Sequence, residues 1–136
     1  MPDDRDSYFK TPGVASVRWV PTTGIVLVEW EGWANSAEFA AILEAEIHAL
    51  SEHRGSSLLA DCRRQKVISP ADTERANKEW LPRALAAGLK RFAVVVPTSG
   101  LADMNIRESL GKVSSQALEV AYFDTPDEAE EWLART

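Results

Sequence analysis

The stretch that decides the fold runs from Ser57 to Val96 and reads SLLADCRRQKVISPADTERANKEWLPRALAAGLKRFAVVV. It begins with a short apolar run that ends in Asp61, and it closes with a second apolar run from Phe92 to Val96. Parallel strands are covered on both faces, so they have continuous apolar sequences of this kind. With a helix between the runs, the stretch predicts a parallel β-α-β unit, whose crossover is right-handed in nearly every case.

The helix inside this unit is predicted to start at Ser69-Pro70-Ala71-Asp72. Ser69 can accept a hydrogen bond from a free backbone N–H, and proline suits the first helical position because its missing N–H would have no partner there. Asp72 places negative charge at the positive end of the helix dipole. The pattern continues to Gly88, with a kink or restart predicted at Pro82, which removes one hydrogen bond and clashes with the preceding turn. Such a kink can open a groove.

Before the central unit, the chain predicts a hairpin followed by a helix. Val14–Val20 and Ile25–Trp30 are rich in β-branched and aromatic residues and flank a turn cluster. Asn35 and Glu38 have the spacing of a capping box, which satisfies two free N–H groups at a helix start. The apolar stripe of this helix ends near Gly55, which is predicted to be a left-handed cap.

After the central unit, a shorter helix is predicted at residues 103–116, a last strand at Leu118–Phe123, and a final helix capped by Thr125. Residues 1–13 are predicted to be a flexible N-terminal tail, although the charged first positions also suit an extension of the sheet edge. Residues 14–136 are predicted to form a single α/β domain. Its sheet is mixed and mostly parallel, with an N-terminal hairpin and about four helices.

Composition excludes several classes of function. The formal net charge is −6 and no block of lysine or arginine occurs, which argues against nucleic acid and anionic membrane as partners. No apolar run approaches the roughly 18 residues of a membrane span, and Met1 to Asp6 lack the layout of a signal peptide. The single cysteine, Cys62, excludes an internal disulfide and a cysteine-built metal site. A cytoplasmic location is therefore expected.

Several short motifs follow one another along residues 14–134: Trp30-Glu31-Gly32, Leu59-Ala60-Asp61-Cys62-Arg63, Ser69-Pro70-Ala71-Asp72, Trp80-Leu81-Pro82, Gly88-Leu89-Lys90-Arg91-Phe92-Ala93-Val94-Val95, Phe123-Asp124, Ala129 and Trp132-Leu133. In their order and spacing, the chain resembles the small bacterial STAS-like proteins, which are related to sporulation anti-anti-sigma factors and to the lipid-binding Sec14 (CRAL-TRIO) fold. The resemblance implies a mixed sheet built from turns of a β-α superhelix. It implies no cofactor and no settled activity.

In the signalling members, a partner kinase phosphorylates a serine that opens the helix after the central strand, and Ser69 is the residue here that would match. The signalling pattern has an acidic residue before this serine and a small residue plus glycine after it. This chain has Ile68 before Ser69 and Pro70-Ala71 after it. A plain helix cap is therefore the favoured role. Phosphorylation remains the alternative, because a helix N-terminus stabilises a phosphate.

The carboxyl end of the central strand is the expected binding edge, as in open α/β sheets generally. Asp61 is expected to accept hydrogen bonds from loop N–H groups or to pair with an arginine. Cys62 is expected to be a semi-buried packing residue, because no general base accompanies it and a catalytic thiolate would need one. The predicted partner or ligand surface consists of Asp61, Cys62, Arg63, Ser69, Asp72 and Trp80.

Two further constellations were weighed against simple structural roles. Glu44, His48 and Glu52 lie four residues apart and could offer metal ligands, but an exposed helix face commonly has this pattern and no second histidine stands at ligand spacing. Trp33 and Trp80 could line a pocket or a partner surface, with core packing the simpler role. The sequence predicts no metal site and no catalytic motif.

The sequence therefore predicts a non-enzymatic STAS-like regulatory or protein-binding module. The alternative is a carrier or sensor of a small apolar ligand, held in a pocket between the sheet and the helices at Ser69–Gly88 and Asp103–Gln116. An enzyme that uses Cys62 is a third, weaker hypothesis. A homodimer through an exposed edge strand, such as Val14–Val20, is also considered.

Overall fold

The computed structural model describes residues 6–66, 68–97, 104 and 118–135, and within them the chain forms one six-stranded sheet. The strands are β1 (Ser7–Thr11), β2 (Ala15–Val20), β3 (Ile25–Trp30), β4 (Ser57–Asp61), β5 (Arg91–Val95) and β6 (Glu119–Phe123). The helices are α1 (Ser36–His53), α2 (Pro70–Arg75), α3 (Leu81–Ala86) and α4 (Pro126–Ala134), with a π-helical turn at Ala76–Trp80 between α2 and α3.

The strands lie side by side in sequence order, and the pairing changes once, at β3, from antiparallel to parallel. The β1–β2 and β2–β3 pairs are antiparallel, and the three pairs from β3 to β6 are parallel. The predicted mixed sheet and the central parallel unit are therefore confirmed. The antiparallel part is larger than the predicted hairpin, because it contains three strands.

The N-terminal segment differs from the prediction of a flexible tail. Ser7–Thr11 forms β1, which pairs with β2 with an irregular register between Ser7 and Phe9. As a result β2 lies inside the sheet, so the Val14–Val20 strand is not the exposed edge that was considered for a homodimer. The two edges of the described sheet are β1 and β6.

The helix count also differs from the prediction of about four. Residues 70–86 run through α2, the π turn and α3 without a break, so the described residues contain three helical bodies. The helix predicted at residues 103–116 lies outside the described residues. No helix in the described part of the chain is long and apolar enough to cross a membrane.

The helices cover both faces of the sheet, as the alternation of side chains along its strands requires. On β4, Leu58 and Ala60 belong to the core under α1 and the α2–α3 helix, while Leu59 belongs to the core under α4. We call these two sides the α1 face and the α4 face. β3 is buried on both of them, as the sequence predicted.

The caps of α1 show one confirmed prediction and one error. The Glu38 N–H donates to Asn35 Oδ1 at 2.8 Å, and the Asn35 N–H donates to Glu38 Oε1 at 3.0 Å, which completes the predicted capping box. The left-handed residue at the other end is Arg54, with φ 52°, rather than Gly55. Gly55 instead meets the ring of Trp19, where a Cβ would lie 3.0 Å from a ring carbon.

The disturbance predicted at Pro82 takes the form of a π turn rather than a break. The Leu81 N–H donates to the Ala76 carbonyl, five residues back. In a regular α-helix, the ring of Pro82 would clash with the carbonyl of Lys78, four residues back. A π turn just before the proline widens the helix at this place.

Candidate functional site

An ion pair between Asp61 and Arg63 lies at the carboxyl ends of the parallel strands β3 and β4. Glu29 and Asp61 are register partners at these strand ends. The Arg63 guanidinium donates to both oxygens of Asp61, at 2.9 Å from Nε and 2.7 Å from a terminal nitrogen, and the Arg63 N–H donates to Asp61 Oδ1 at 3.2 Å. Both predicted roles of Asp61 are therefore confirmed. The bidentate pair holds a guanidinium in one orientation.

This pair borders an open cleft of about 180 Å³ that carries charges of both signs. Its polar lining includes Glu29, Glu31, Asp61, Arg63 and Arg64. Trp33 follows the end of β3 by three residues, and its side chain is 63% exposed.

Ser69 lies beyond the loop that leaves β4, at the start of α2. Its hydroxyl accepts a hydrogen bond from the Asp72 N–H at 3.1 Å, which confirms the predicted cap. The residue is otherwise exposed. We call Trp33, Asp61, Arg63 and Ser69 the strand-end surface.

The other three residues of the predicted surface are buried. Cys62 is 3% exposed, and Asp72 and Trp80 are each 6% exposed. The Trp80 indole donates to the Leu43 carbonyl at 3.1 Å and packs edge-on to Phe92 with ring centroids 6.3 Å apart. The predicted surface therefore divides into residues at the sheet edge and residues inside the protein.

Cys62 does not have the environment of an activated thiolate. Burial is the main cause that raises the pKa of its thiol, and the nearby carboxyls of Asp61 and Glu46 raise the pKa further. A thiol that stays protonated is a poor nucleophile. The structure therefore agrees with the packing role that the sequence favoured.

A cavity of about 60 Å³ that is partly open to solvent lies between the α1 face, α1 itself and the helix that carries the π turn. The ligand pocket was predicted between the sheet and the helices at Ser69–Gly88 and Asp103–Gln116. The first of these helices does border the cavity, and the second lies outside the described residues. The cavity is lined mainly by Trp30, Phe39, Leu43, Trp80 and Phe92, with polar groups from Glu46, Cys62 and Gln65.

Glu46 also lines the cavity, although no sequence motif pointed to it. This carboxyl is 3% exposed, and burial raises its pKa well above the ordinary value of 4.5. Within the described part of the chain, Glu46 Oε2 and Gln65 Oε1 are buried without a hydrogen-bond partner. The sequence feature that indicated its burial is its position within the apolar stripe of α1, four residues after Ile42 and four before Leu50.

The polar row of α1 connects elements and gathers no metal ligands. Glu44 is bound by the guanidinium of Arg83 on α3, a hydrogen bond that lowers the pKa of Glu44. Glu52 accepts a hydrogen bond from Tyr8 of β1, which lowers the pKa of Glu52. Among the described residues, no group of three or more candidate ligands could hold a metal ion.

One comparison with known proteins gives a result. A protein-family model described as SpoIIAA-like matches residues 25–134, which is most of the chain and includes both the strand-end surface and the cavity. A search of curated proteins found no match. The family match confirms the STAS-like resemblance that the sequence motifs indicated.

Proposed function

Because the chain belongs to the SpoIIAA-like family, we propose that it is a non-enzymatic regulatory module that binds another protein at the strand-end surface. STAS-like domains typically bind proteins. The observation that carries the proposal is the Asp61–Arg63 ion pair, which is fixed where β4 ends and borders an open cleft. Trp33, three residues after the end of the neighbouring parallel strand β3, adds an exposed aromatic residue.

The chemistry of this surface suits a protein partner. Tryptophan and arginine are enriched among the residues that carry most of the binding energy in protein interfaces. Trp33 offers a large apolar area, and Arg63 is already held in place by Asp61, so little side-chain freedom is lost on binding. Carboxylates from Glu29 and Glu31 beside Arg64 supply charges that select a complementary partner.

The test is capture of partners from an extract of the protein's own host, with partners identified by mass spectrometry. The wild-type chain is compared with Trp33→Ala, Arg63→Ala and the control Glu130→Ala, which changes an exposed residue of α4. We expect one set of proteins to be retained by the wild type and the control and lost by both strand-end variants. Equal retention by all four chains, or no retention by any, would overturn this assignment.

Ser69 is the candidate phospho-acceptor of this surface. Ser69 is an exposed residue whose hydroxyl already caps α2, so a phosphate there would lie at the positive end of the helix dipole. Intact-mass spectrometry of the protein purified from its own host tests this role. A phosphate adduct that maps to Ser69 adds a switch to the binding surface, whereas a bare chain leaves Ser69 as a helix cap.

The cavity favours a second candidate function, a sensor of a small ligand. Its volume of about 60 Å³ is far below the roughly 300–1,000 Å³ of pockets for drug-sized ligands, so a long-chain lipid does not fit. A ligand that binds the folded state raises the melting temperature. We expect short-chain molecules to raise the melting temperature and a long-chain fatty acid to leave it unchanged. An unchanged melting temperature with every short-chain molecule would count against the sensor function.

A further inference from the structure

The cavity beneath α1 carries oxygens that require hydrogen-bond donors. Glu46 Oε2 and Gln65 Oε1 are both buried, and neither has a partner within the described part of the chain. The Gln65 oxygen can only accept, and both oxygens of Glu46 accept once a bound cation has ionised this carboxyl. Since buried polar groups in native proteins are nearly always hydrogen-bonded, this pair points to a ligand that donates.

The rest of the wall suits a positive charge. It contains four aromatic residues, and no lysine, arginine or histidine contributes to its described lining. Aromatic faces attract ammonium groups, most strongly where water is excluded. The aromatic residues are Trp30, Phe39, Trp80 and Phe92.

The size of the cavity limits the ligand. A volume of about 60 Å³ holds about four to six water-sized groups, because one water needs about 10 to 15 Å³ on this scale. A molecule with a similar number of non-hydrogen atoms therefore fits.

We propose that this cavity binds a small primary amine, held as an ammonium ion against the Glu46 carboxylate and donating a second hydrogen bond to Gln65 Oε1. The proposal rests on the cavity as a ligand site, the second candidate function, and is independent of protein binding at the strand-end surface. Burial raises the pKa of Glu46, which favours the protonated carboxyl in the empty site. When the neutral amine enters, the O–H bond of Glu46 breaks and an N–H bond forms on the ligand, and no other reactant is needed.

Cys62 is the other titratable side chain in the described lining of the cavity, and Asp61 lies beside it in the chain. Burial, and after it the carboxyls of Asp61 and Glu46, raise the pKa of the Cys62 thiol. Cys62 therefore stays neutral and does not compete for the ammonium charge. Beyond the wall, Glu44 is already paired with Arg83 and does not compete either. Glu46 is therefore the counter-ion of the bound ligand.

The test measures binding of n-butylamine and of n-butanol, which has the same shape without the charge, by calorimetry near neutral pH. The chains are the wild type, Glu46→Gln and the control Glu130→Gln on α4. We expect the wild type and the control to bind the amine saturably and to bind the alcohol much more weakly. Removing the counter-ion in Glu46→Gln should weaken amine binding by at least about tenfold, because the ammonium is left buried and unpaired.

A series of longer amines gives a second measurement that needs no variant. Affinity should rise up to n-butylamine and gain little from there to n-octylamine, because the added methylene groups extend beyond a cavity of about 60 Å³. Equal binding of butanol and butylamine with no effect of Glu46→Gln would overturn the amine proposal but retain a cavity for neutral ligands. No binding of either probe would overturn both the amine proposal and the sensor function, while leaving protein binding to its own test.

Discussion

The two faces of the sheet have different interiors. On the α4 face, residues of β3, β4 and β5 pack against α4 in an apolar cluster: Ile25, Leu59, Ala93, Val95, Ala129 and Leu133. The guanidinium of Arg91 lies beside this cluster, over the ring of Trp132. On the α1 face, a larger apolar core contains a buried carboxyl, a buried amide, a free thiol and a cavity. Among the described residues, the buried oxygens of Glu46 and Gln65 that lack a hydrogen-bond partner both line the pocket on the α1 face, which is why the ligand site is proposed there.

The largest effect should come from Trp80→Ala, which removes a large buried side chain from the wall of the cavity. Trp80 is buried, donates to the Leu43 carbonyl and packs on Phe92. Its loss should lower the free energy of unfolding by about 3–5 kcal/mol, since it leaves a void in the core and removes the hydrogen bond from the indole to the Leu43 carbonyl. Urea denaturation followed by circular dichroism measures the change.

The matched control is Trp33→Ala, which removes the same side chain from an exposed position. We expect a change within about 0.5 kcal/mol, because surface substitutions rarely do more. An effect of Trp80→Ala as small as that of Trp33→Ala would mean that Trp80 contributes little to the packing of the α1 face.

A second prediction concerns Glu46→Met, which makes the α1 face resemble the α4 face. The substitution removes the unpartnered carboxyl and fills part of the cavity with a flexible apolar side chain. Near pH 7 it should raise the free energy of unfolding by about 1–3 kcal/mol, as replacement of buried ionisable groups by apolar ones often does. Chemical denaturation against an exposed control, Glu130→Met, measures the gain, and a loss of stability would indicate that Glu46 has a partner that holds it in the fold.

The sequence predicted the elements with strong local signals and failed where burial depends on distant segments. The Asn35 capping box and the Ser69 cap were predictable because their hydrogen bonds join residues only three positions apart. β1 agrees with the alternative of an extended sheet edge rather than with the flexible tail, and the sequence could not choose between them because the existence of this short edge strand depends on pairing with β2.

The candidate site was predicted in part for the same reason. Asp61 and Arg63 pair across two residues, so the sequence could place them together. Trp80 was assigned to a surface, although the π turn and the backbone of α1 bury it. Glu46 was overlooked, because a carboxyl within an apolar stripe is recognised as buried only when the helix packed against that stripe is known.

The pH dependence of stability should sharpen the contrast between the faces. Burial raises the pKa of Glu46 in the folded state above its ordinary value of 4.5. At a pH between 4.5 and this raised pKa, the folded state therefore binds more protons than the unfolded state. The stability that protonated Glu46 contributes is therefore complete below about pH 4.5 and is lost as the pH rises towards the raised pKa, by up to about 1.4 kcal/mol per pH unit. Glu44 and Glu52 have lowered pKa values and act in the opposite sense.

The comparison of wild type with Glu46→Gln isolates this contribution, because Glu44 and Glu52 are the same in both chains. We expect the stability of Glu46→Gln relative to wild type to increase steadily from about pH 5 to about pH 7 in urea denaturation. A constant difference across that range would mean that Glu46 is ionised in the empty protein, and the proton transfer to an entering amine would then be withdrawn.

The smallest expected effect lies at the helix starts, where the two faces are alike. Asn35 caps α1 and Thr125 caps α4, each by accepting a hydrogen bond from the N–H three residues later. Asn35→Ala and Thr125→Ala should each lower the free energy of unfolding by about 1 kcal/mol, whereas Ser51→Ala, in an exposed position of α1, should change it little. Equal costs at both caps, measured by thermal denaturation, would localise the difference between the faces to their interiors. A much larger loss of stability in Asn35→Ala would instead mean that the start of α1 also holds the wall of the cavity in place, since Phe39 of its second turn lines that cavity.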